Sequence, residues 1–170
     1  MKQYLEYGLP YPVAGFAFDT AVAWGAGKAN LIGIWPLVWS HQVKTPSAQN
    51  FIGAFTKKYG KPPDNQAWGD YLSTKHLAQA MAEIKSTDSA KVAEHLEKGA
   101  KFDVLKTREG YYRNWDHQLM QEMYTIRFLP AAEIKNQWDI FTTSPPVPAT
   151  NQSLEIIAPT REDNNCTMPA

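Results

Sequence analysis

Residues 65–85, NQAWGDYLSTKHLAQAMAEIK, decide how the rest of the chain is read. At ~100° per residue, Tyr71, Thr74, Leu77, Ala78, Ala80, Met81, Ala82 and Ile84 spread over an apolar arc of roughly 200°. Lys75, His76, Gln79 and Glu83 form a narrow polar arc, with Leu72 a misfit inside it. A surface helix shows a narrower apolar stripe, so the pattern predicts a long helix wedged between a sheet and a further layer. Asp64–Trp68 reads as an extended approach to it. Tyr71 falls at the first turn, where a strand hands over to a helix and where open α/β folds collect ligands. Composition alone favours a core role for the same residue.

The preceding stretch reads clearly. Thr45 caps a helix with Pro46 at its first position, and Ala48, Phe51, Ile52, Phe55 and Tyr59 form one apolar stripe. Lys57 and Lys58 suit its last turn, and Gly60 and Pro62-Pro63 stop it. Further upstream, Pro12–Phe18 (PVAGFAF) and Leu31–Trp39 (LIGIWPLVW) read as buried strands, the second ending its regular part at Pro36. Between them Asp19 caps a helix over Thr20–Ala26, and Met1–Tyr7 reads as a short helix stopped by Gly8. Downstream, Ser89–Lys98 is a further helix. Lys101–Lys106 and Gly110–Asn114 read as strands around a Thr107–Glu109 turn. Gln121–Phe128 alternates Met123, Thr125 and Arg127 with Glu122, Tyr124, Ile126 and Phe128, a strand pattern. Residues from Thr142 onward are rich in Pro, Asn and Thr and are expected to be irregular. Strands alternating with helices and then giving way to a short meander argue an α/β fold with a largely parallel sheet.

The chain has 170 residues, enough for one domain with its own core. Lysine plus arginine equals aspartate plus glutamate at 17 each, and no basic run stands out, so nothing points to a nucleic-acid or membrane-surface partner. No apolar stretch approaches the ~20 residues that span a bilayer. Met1-Lys2 is followed by polar sequence rather than a signal-peptide pattern. The lone Cys166 forms no intrachain disulfide.

Catalytic patterns are missing. His41, His76, His95 and His117 fall on different elements with no second ligand at metal spacing, so no metal or cofactor is expected. Gly25-Ala-Gly27 lacks the third glycine of a dinucleotide fingerprint, and there is no G-x-S-x-G, P-loop or H-E-x-x-H. Asp116-His117-Gln118 reads as a turn that satisfies its own backbone, because adjacent residues on a regular element point different ways. What stands out is aromatic side chains near loops, among them Phe16, Phe18, Trp35, Trp39, Trp68 and Tyr71. Concave small-molecule sites are lined in this way, although several of these rings must be core.

Phe51, Phe55, Tyr59-Gly60 and Pro62-Pro63 precede Tyr71, which opens a helix carrying Leu77-Ala78 and Ala80. The helix Lys91–Glu97 and then Gly110-Tyr-Tyr-Arg-x-x-Asp116-His117-Gln118 follow. In that order the series resembles the branched-chain amino-acid type of periplasmic solute-binding protein, the receptor component of ABC importers. PVAGFAF, AWGAG and LIGIW upstream are similar too, and the likeness covers Gly8–Phe128. It implies an α/β fold: a parallel-sheet three-layer (αβα) lobe of a type I periplasmic-binding fold, with a hinge crossing and helices of the other lobe. Residues 1–63 would belong to the second lobe, 64–69 to the crossing, 70–100 to first-lobe helices, 101–141 to strands and the C-terminal crossing, and 142–170 to an irregular tail. The family's opening strands and export signal are absent, so the chain reads as the C-terminal portion of such a receptor.

The resemblance also implies a non-enzymatic periplasmic receptor that serves ABC importer membrane subunits without entering the membrane. It would close on a small organic solute at Gly15, Phe16, Phe18, Trp39 and Tyr71. Amino-acid binders of the family hold the ligand ammonium with a carboxylate just after the strand matching Pro12–Ala14. Here Gly15-Phe16-Ala17-Phe18 intervenes and the first acid is Asp19, which implies a less zwitterionic solute, an aromatic or aliphatic acid. The alternative is an interaction or sensory domain on the same fold, pairing with a second copy through an exposed apolar face.

Overall fold

The computed structural model describes residues 2–15, 18–27 and 31–164; the expectations placed on Phe16 and Cys166 lie outside them. Helix α1 (Lys2–Glu6) is followed by Gly8 at φ 59°. Helix α2 (Thr20–Ala26) starts at Asp19, whose carboxylate accepts from the Ala21 amide at 2.8 Å. Strand β1 (Ile34–Leu37) runs through Pro36 rather than ending there. Pro36 is tolerated because proline removes only one donor, and its carbonyl still accepts from the Phe18 amide at 3.3 Å. Helix α3 (Pro46–Tyr59) keeps its expected bounds. Thr45 Oγ1 accepts from the Ala48 amide at 3.4 Å, and Gly60 in the left-handed region closes the helix on Thr56 O at 2.9 Å.

Helix α4 (Asn65–Ile84) begins earlier than the sequence pattern implied. Asp64 accepts from the Ala67 amide at 2.7 Å, so residues 65–68 form the first helical turn rather than an extended approach. The passage from α3 is therefore the short segment around Pro62 and Pro63, both buried. The expectation of a wedged helix is also corrected. Its buried residues are Trp68, Leu72, His76 and Ala80, one i, i+4 ridge, while Tyr71 and Leu77 are 42% and 47% exposed. The supposed misfit Leu72 and the supposedly polar His76 are on the core side. Small alanines and the amphipathic Tyr71 widened the apparent apolar arc without marking the buried face.

Helix α5 (Ser89–Glu97) packs between α4 and the small antiparallel meander of β2 (Lys101–Phe102), β3 (Gly110–Tyr112) and β4 (Leu119–Met120). The second sheet has the order β1–β5–β6, where β5 is Tyr124–Phe128 and β6 is Phe141–Thr143. The expectation of a largely parallel sheet is corrected at the level of pairing. Every ladder between described strands is antiparallel, and parallel contact is confined to the bridge between Ala14 and Ile34. Among its described residues, the segment expected as a strand over 12–18 contributes only that bridge, and β1 has β5 as its ladder partner. The α/β class and the likeness to a periplasmic-binding lobe are unaffected.

Two core clusters result. One gathers Trp39, Val43, Ala48, Trp68, Leu72, Val104, Leu105 and Tyr124, and so draws on both sides of the Pro62-Pro63 passage. The other holds Leu37, Ile126, Phe128, Ile140 and Phe141 under α2. The β5 alternation read from the sequence is kept, with Tyr124, Ile126 and Phe128 buried and Arg127 exposed.

Candidate functional site

Two glycines let the segment 12–15 press against β1. At Gly33, with φ 96°, a Cβ would stand 2.3 Å from Val13 O, and the Ile34 amide donates to the same carbonyl at 3.0 Å. At Gly15 a Cβ would meet the Trp35 ring at 2.1 Å. The Trp35 indole is fixed from its other end, its Nε1 donating to Ile32 O at 2.8 Å. Phe18 packs on Trp35 at 5.5 Å and edge-on to Phe128 at 5.2 Å. This close approach leaves a cavity of about 380 Å³ lined by Pro12, Val13, Ala14, Gly33, Ile34 and Arg127. That is a volume suited to a small solute.

Of the expected site residues, the structure thus brings Gly15 and Phe18 together around Trp35. It does not bring Trp39 or Tyr71 to them. Trp39 is fully buried in the core, lies parallel to Trp68 at 6.1 Å and donates through Nε1 to Leu105 O at 3.2 Å. Trp39 stands apart from the cavity: its ring has no free face and its one polar atom is engaged. Tyr71 lies instead over Phe51 at 4.5 Å, beginning a row of rings that continues through Phe55 to Tyr59. The link between its helix and the cavity side runs through Asn65, whose Oδ1 accepts from Thr20 N at 3.0 Å and Thr20 Oγ1 at 2.9 Å. Asn65 was missed because a helix-opening Asn reads first as a local turn former.

The buried charges lie elsewhere. Glu122 is fully buried, pairs with Arg108 at 2.8 Å and accepts from Thr107. Lys106, 5% exposed, lies over the Trp68 ring at 4.9 Å and donates to Gln121 Oε1 at 2.9 Å and to the Glu122 carbonyl. Burial pulls the Lys106 ammonium down to about 7, against the attraction of Glu122. Asp116-His117-Gln118 forms the expected turn, with Asp116 Oδ1 accepting from the Gln118 amide at 3.1 Å. The same carboxylate grips Arg113, a partner not apparent from the triplet. Among the described residues, no group of three or more His, Cys, Asp or Glu could hold a metal ion, and no helix is long and apolar enough to cross a membrane.

The mixed α/β architecture is that of a lobe of the type I periplasmic-binding fold, shared with solved structures of that class. A family model described as periplasmic binding protein matches residues 1–132, and the chain belongs to that family. Among solved structures, it is similar to an amino acid ABC transporter substrate-binding protein from Pseudomonas fluorescens Pf-5. They share 24% identity at a TM-score of 0.75, over 84% of this chain and 39% of the other. A branched chain amino acid ABC transporter periplasmic ligand-binding protein from Burkholderia xenovorans LB400 shares 27% identity at a TM-score of 0.74, over 86% and 39%. A periplasmic binding protein from Burkholderia mallei shares the fold at 22% identity and a TM-score of 0.79, over 97% and 42%. The chain thus spans about two fifths of these relatives' length. No curated protein matches it significantly.

Proposed function

We propose that the chain acts in the substrate-binding component of an ABC importer, in the periplasm, as a receptor that performs no reaction. It takes a small organic solute, amino-acid-like or a simple aromatic or aliphatic acid, and presents it to the importer's membrane subunits. The observation that carries this reading is the family match over residues 1–132, within which the cavity beside Gly33 falls. Closure would turn on the passage around Pro62-Pro63 and on the Thr20–Asn65 contact, with residues before it in the second lobe and α4 and α5 in the first. Gly15, Phe16 and Phe18 remain the proposed ligand side, with Tyr71 at the far edge. Thermal unfolding of the chain against a panel of leucine, valine, isocaproate, benzoate and their amides tests the reading. A ligand at 100 times its Kd stabilises by about 2.7 kcal/mol. A rise in Tm with at least one solute is expected; no rise with any of them at millimolar concentration overturns the proposal.

A second reading, pairing with another copy, is favoured by one observation. The row Tyr71–Phe51–Phe55–Tyr59 ends at both sides in exposed rings, Tyr59 being 55% and Tyr71 42% exposed. Sedimentation that gives a dimer in the parent chain and a monomer in Tyr59→Ser/Tyr71→Ser would establish it.

A further inference from the structure

Arg127 sits mid-strand on β5, the central strand of its sheet, opposite Ile34 on one side and Thr142 on the other. The alternation that buries Ile126 and Phe128 turns Arg127 to the open face. Two cavities meet at it. One is the 380 Å³ cavity beside Gly33, and the second, of about 250 Å³, is lined by Ile34, Thr125, Ile126, Arg127 and residues 142–144. Among the described residues Arg127 is the one charged side chain that lines either cavity.

The two other arginines of the β-sheet region, Arg108 and Arg113, have protein partners. Arg108 is bound to Glu122, and Arg113 to Asp116 and Glu155. No hydrogen bond or ion pair engages the Arg127 guanidinium among the described residues. An always-charged planar fork at the edge of an apolar cavity, with no protein carboxylate opposite, is complementary to a carboxylate supplied from outside. The remaining walls decide between anions. Pro12, Val13, Ala14 and Ile34 offer apolar surface and no second cation. Thr143 Oγ1 and Ser144 Oγ are already donating, to Ser40 or Gln42 and to Pro145 O. A dianion such as phosphate would be under-coordinated here, whereas one carboxylate on a hydrocarbon or aromatic body would satisfy both the fork and the walls.

We infer that Arg127 is the carboxylate-binding residue of the cavity beside Gly33, and that the solute is a monocarboxylic acid. This rests on the receptor reading above and narrows it, because the one charged side chain that lines the cavity is a cation.

Calorimetric titration of the chain with isocaproate and benzoate is the test, with isocaproamide, benzamide and inorganic phosphate as comparators. Losing a charge-assisted hydrogen-bond pair lowers affinity by about tenfold or more. The carboxylates should bind the parent chain at least that much more tightly than the amides and phosphate. Arg127→Gln should lose the difference while its circular dichroism and Tm without ligand stay those of the parent, and Arg127→Lys should keep part of it. Amides or phosphate binding as tightly as the acids would overturn the inference, as would an unchanged affinity in Arg127→Gln. An uncharged solute that binds parent and variant alike would overturn it while leaving the receptor reading in place. Failure of every solute would bring down both.

Discussion

His76 is 2% exposed, stacks on Phe102 at 4.3 Å and meets the edge of Tyr112. Neither of its ring nitrogens finds a hydrogen-bond partner in the structure. Burial lowers its pKa below 6.5, with Lys75 acting in the same direction and Asp103 opposing. The unfolded chain therefore takes up a proton near pH 6.5 that the folded chain resists, and this contribution to stability is lost as pH falls below that value. His41 is shifted the same way, chiefly by burial, with Asp139 opposing. Urea midpoints should accordingly drop between pH 7 and pH 5. His76→Leu, which removes two unsatisfied polar atoms at similar volume, should lessen that drop and leave the pH 7 midpoint equal or higher. An unchanged pH slope in the variant would refute this account. His76 could not have been placed from sequence, since a histidine among Lys75, Gln79 and Glu83 looks solvated until Phe102 is seen beside it. Arg127 was more legible: its alternation with Ile126 and Phe128 already put it on the open face.

At the scale of elements, some ion pairs matter far more than others. Glu94–Lys98, at the end of α5, is an exposed i, i+4 pair that contributes little. Glu122, between β4 and β5, answers Arg108, Thr107 and the neighbourhood of Lys106 from a position with no solvent access. Removing one partner of a buried pair costs about 3–5 kcal/mol. Glu122→Ala should lower the unfolding free energy by that order, measured in urea at pH 7, while Glu94→Ala should be nearly silent; similar effects would contradict the assignment. The sequence marked the strand over 121–128 by its alternation, including Glu122 on the Tyr124 side, but a carboxylate on a buried face has no signature without its partners. Helices α2 and α3 were read to the residue because their caps are local: Asp19, Thr45, Pro46 and Gly60 act within a few positions. Strand pairing is not local, and the antiparallel ladders of β1 with β5 and β5 with β6 were the part that alternating helices and strands concealed.

For the molecule as a whole, the segment after β6 is irregular in backbone yet tied down. Arg108 donates to the carbonyls of Pro148 at 3.1 Å, Thr150 and Gln152. Arg113, stacked on Trp115 at 4.0 Å, holds Glu155 at 3.1 Å and Pro159 O at 2.9 Å. Two arginines from the β2–β3–β4 side thus strap residues 148–159 onto the body. Arg113→Ala should speed limited proteolysis within 150–160 by several-fold or more, because access then follows local opening. Cleavage no faster than in the parent chain would mean that the strap does not depend on Arg113. Composition foretold the irregularity but not the anchoring, since both arginines lie some forty residues upstream in sequence.

The stacked indoles of Trp39 and Trp68, 6.1 Å apart with planes within 6° of parallel, come from either side of the Pro62-Pro63 passage. Chromophores that near one another share their excited states, so the pair is an optical gauge native to the chain. Any opening between α4 and the segment after β1 would register in the near-ultraviolet spectrum of these two rings, with no label attached.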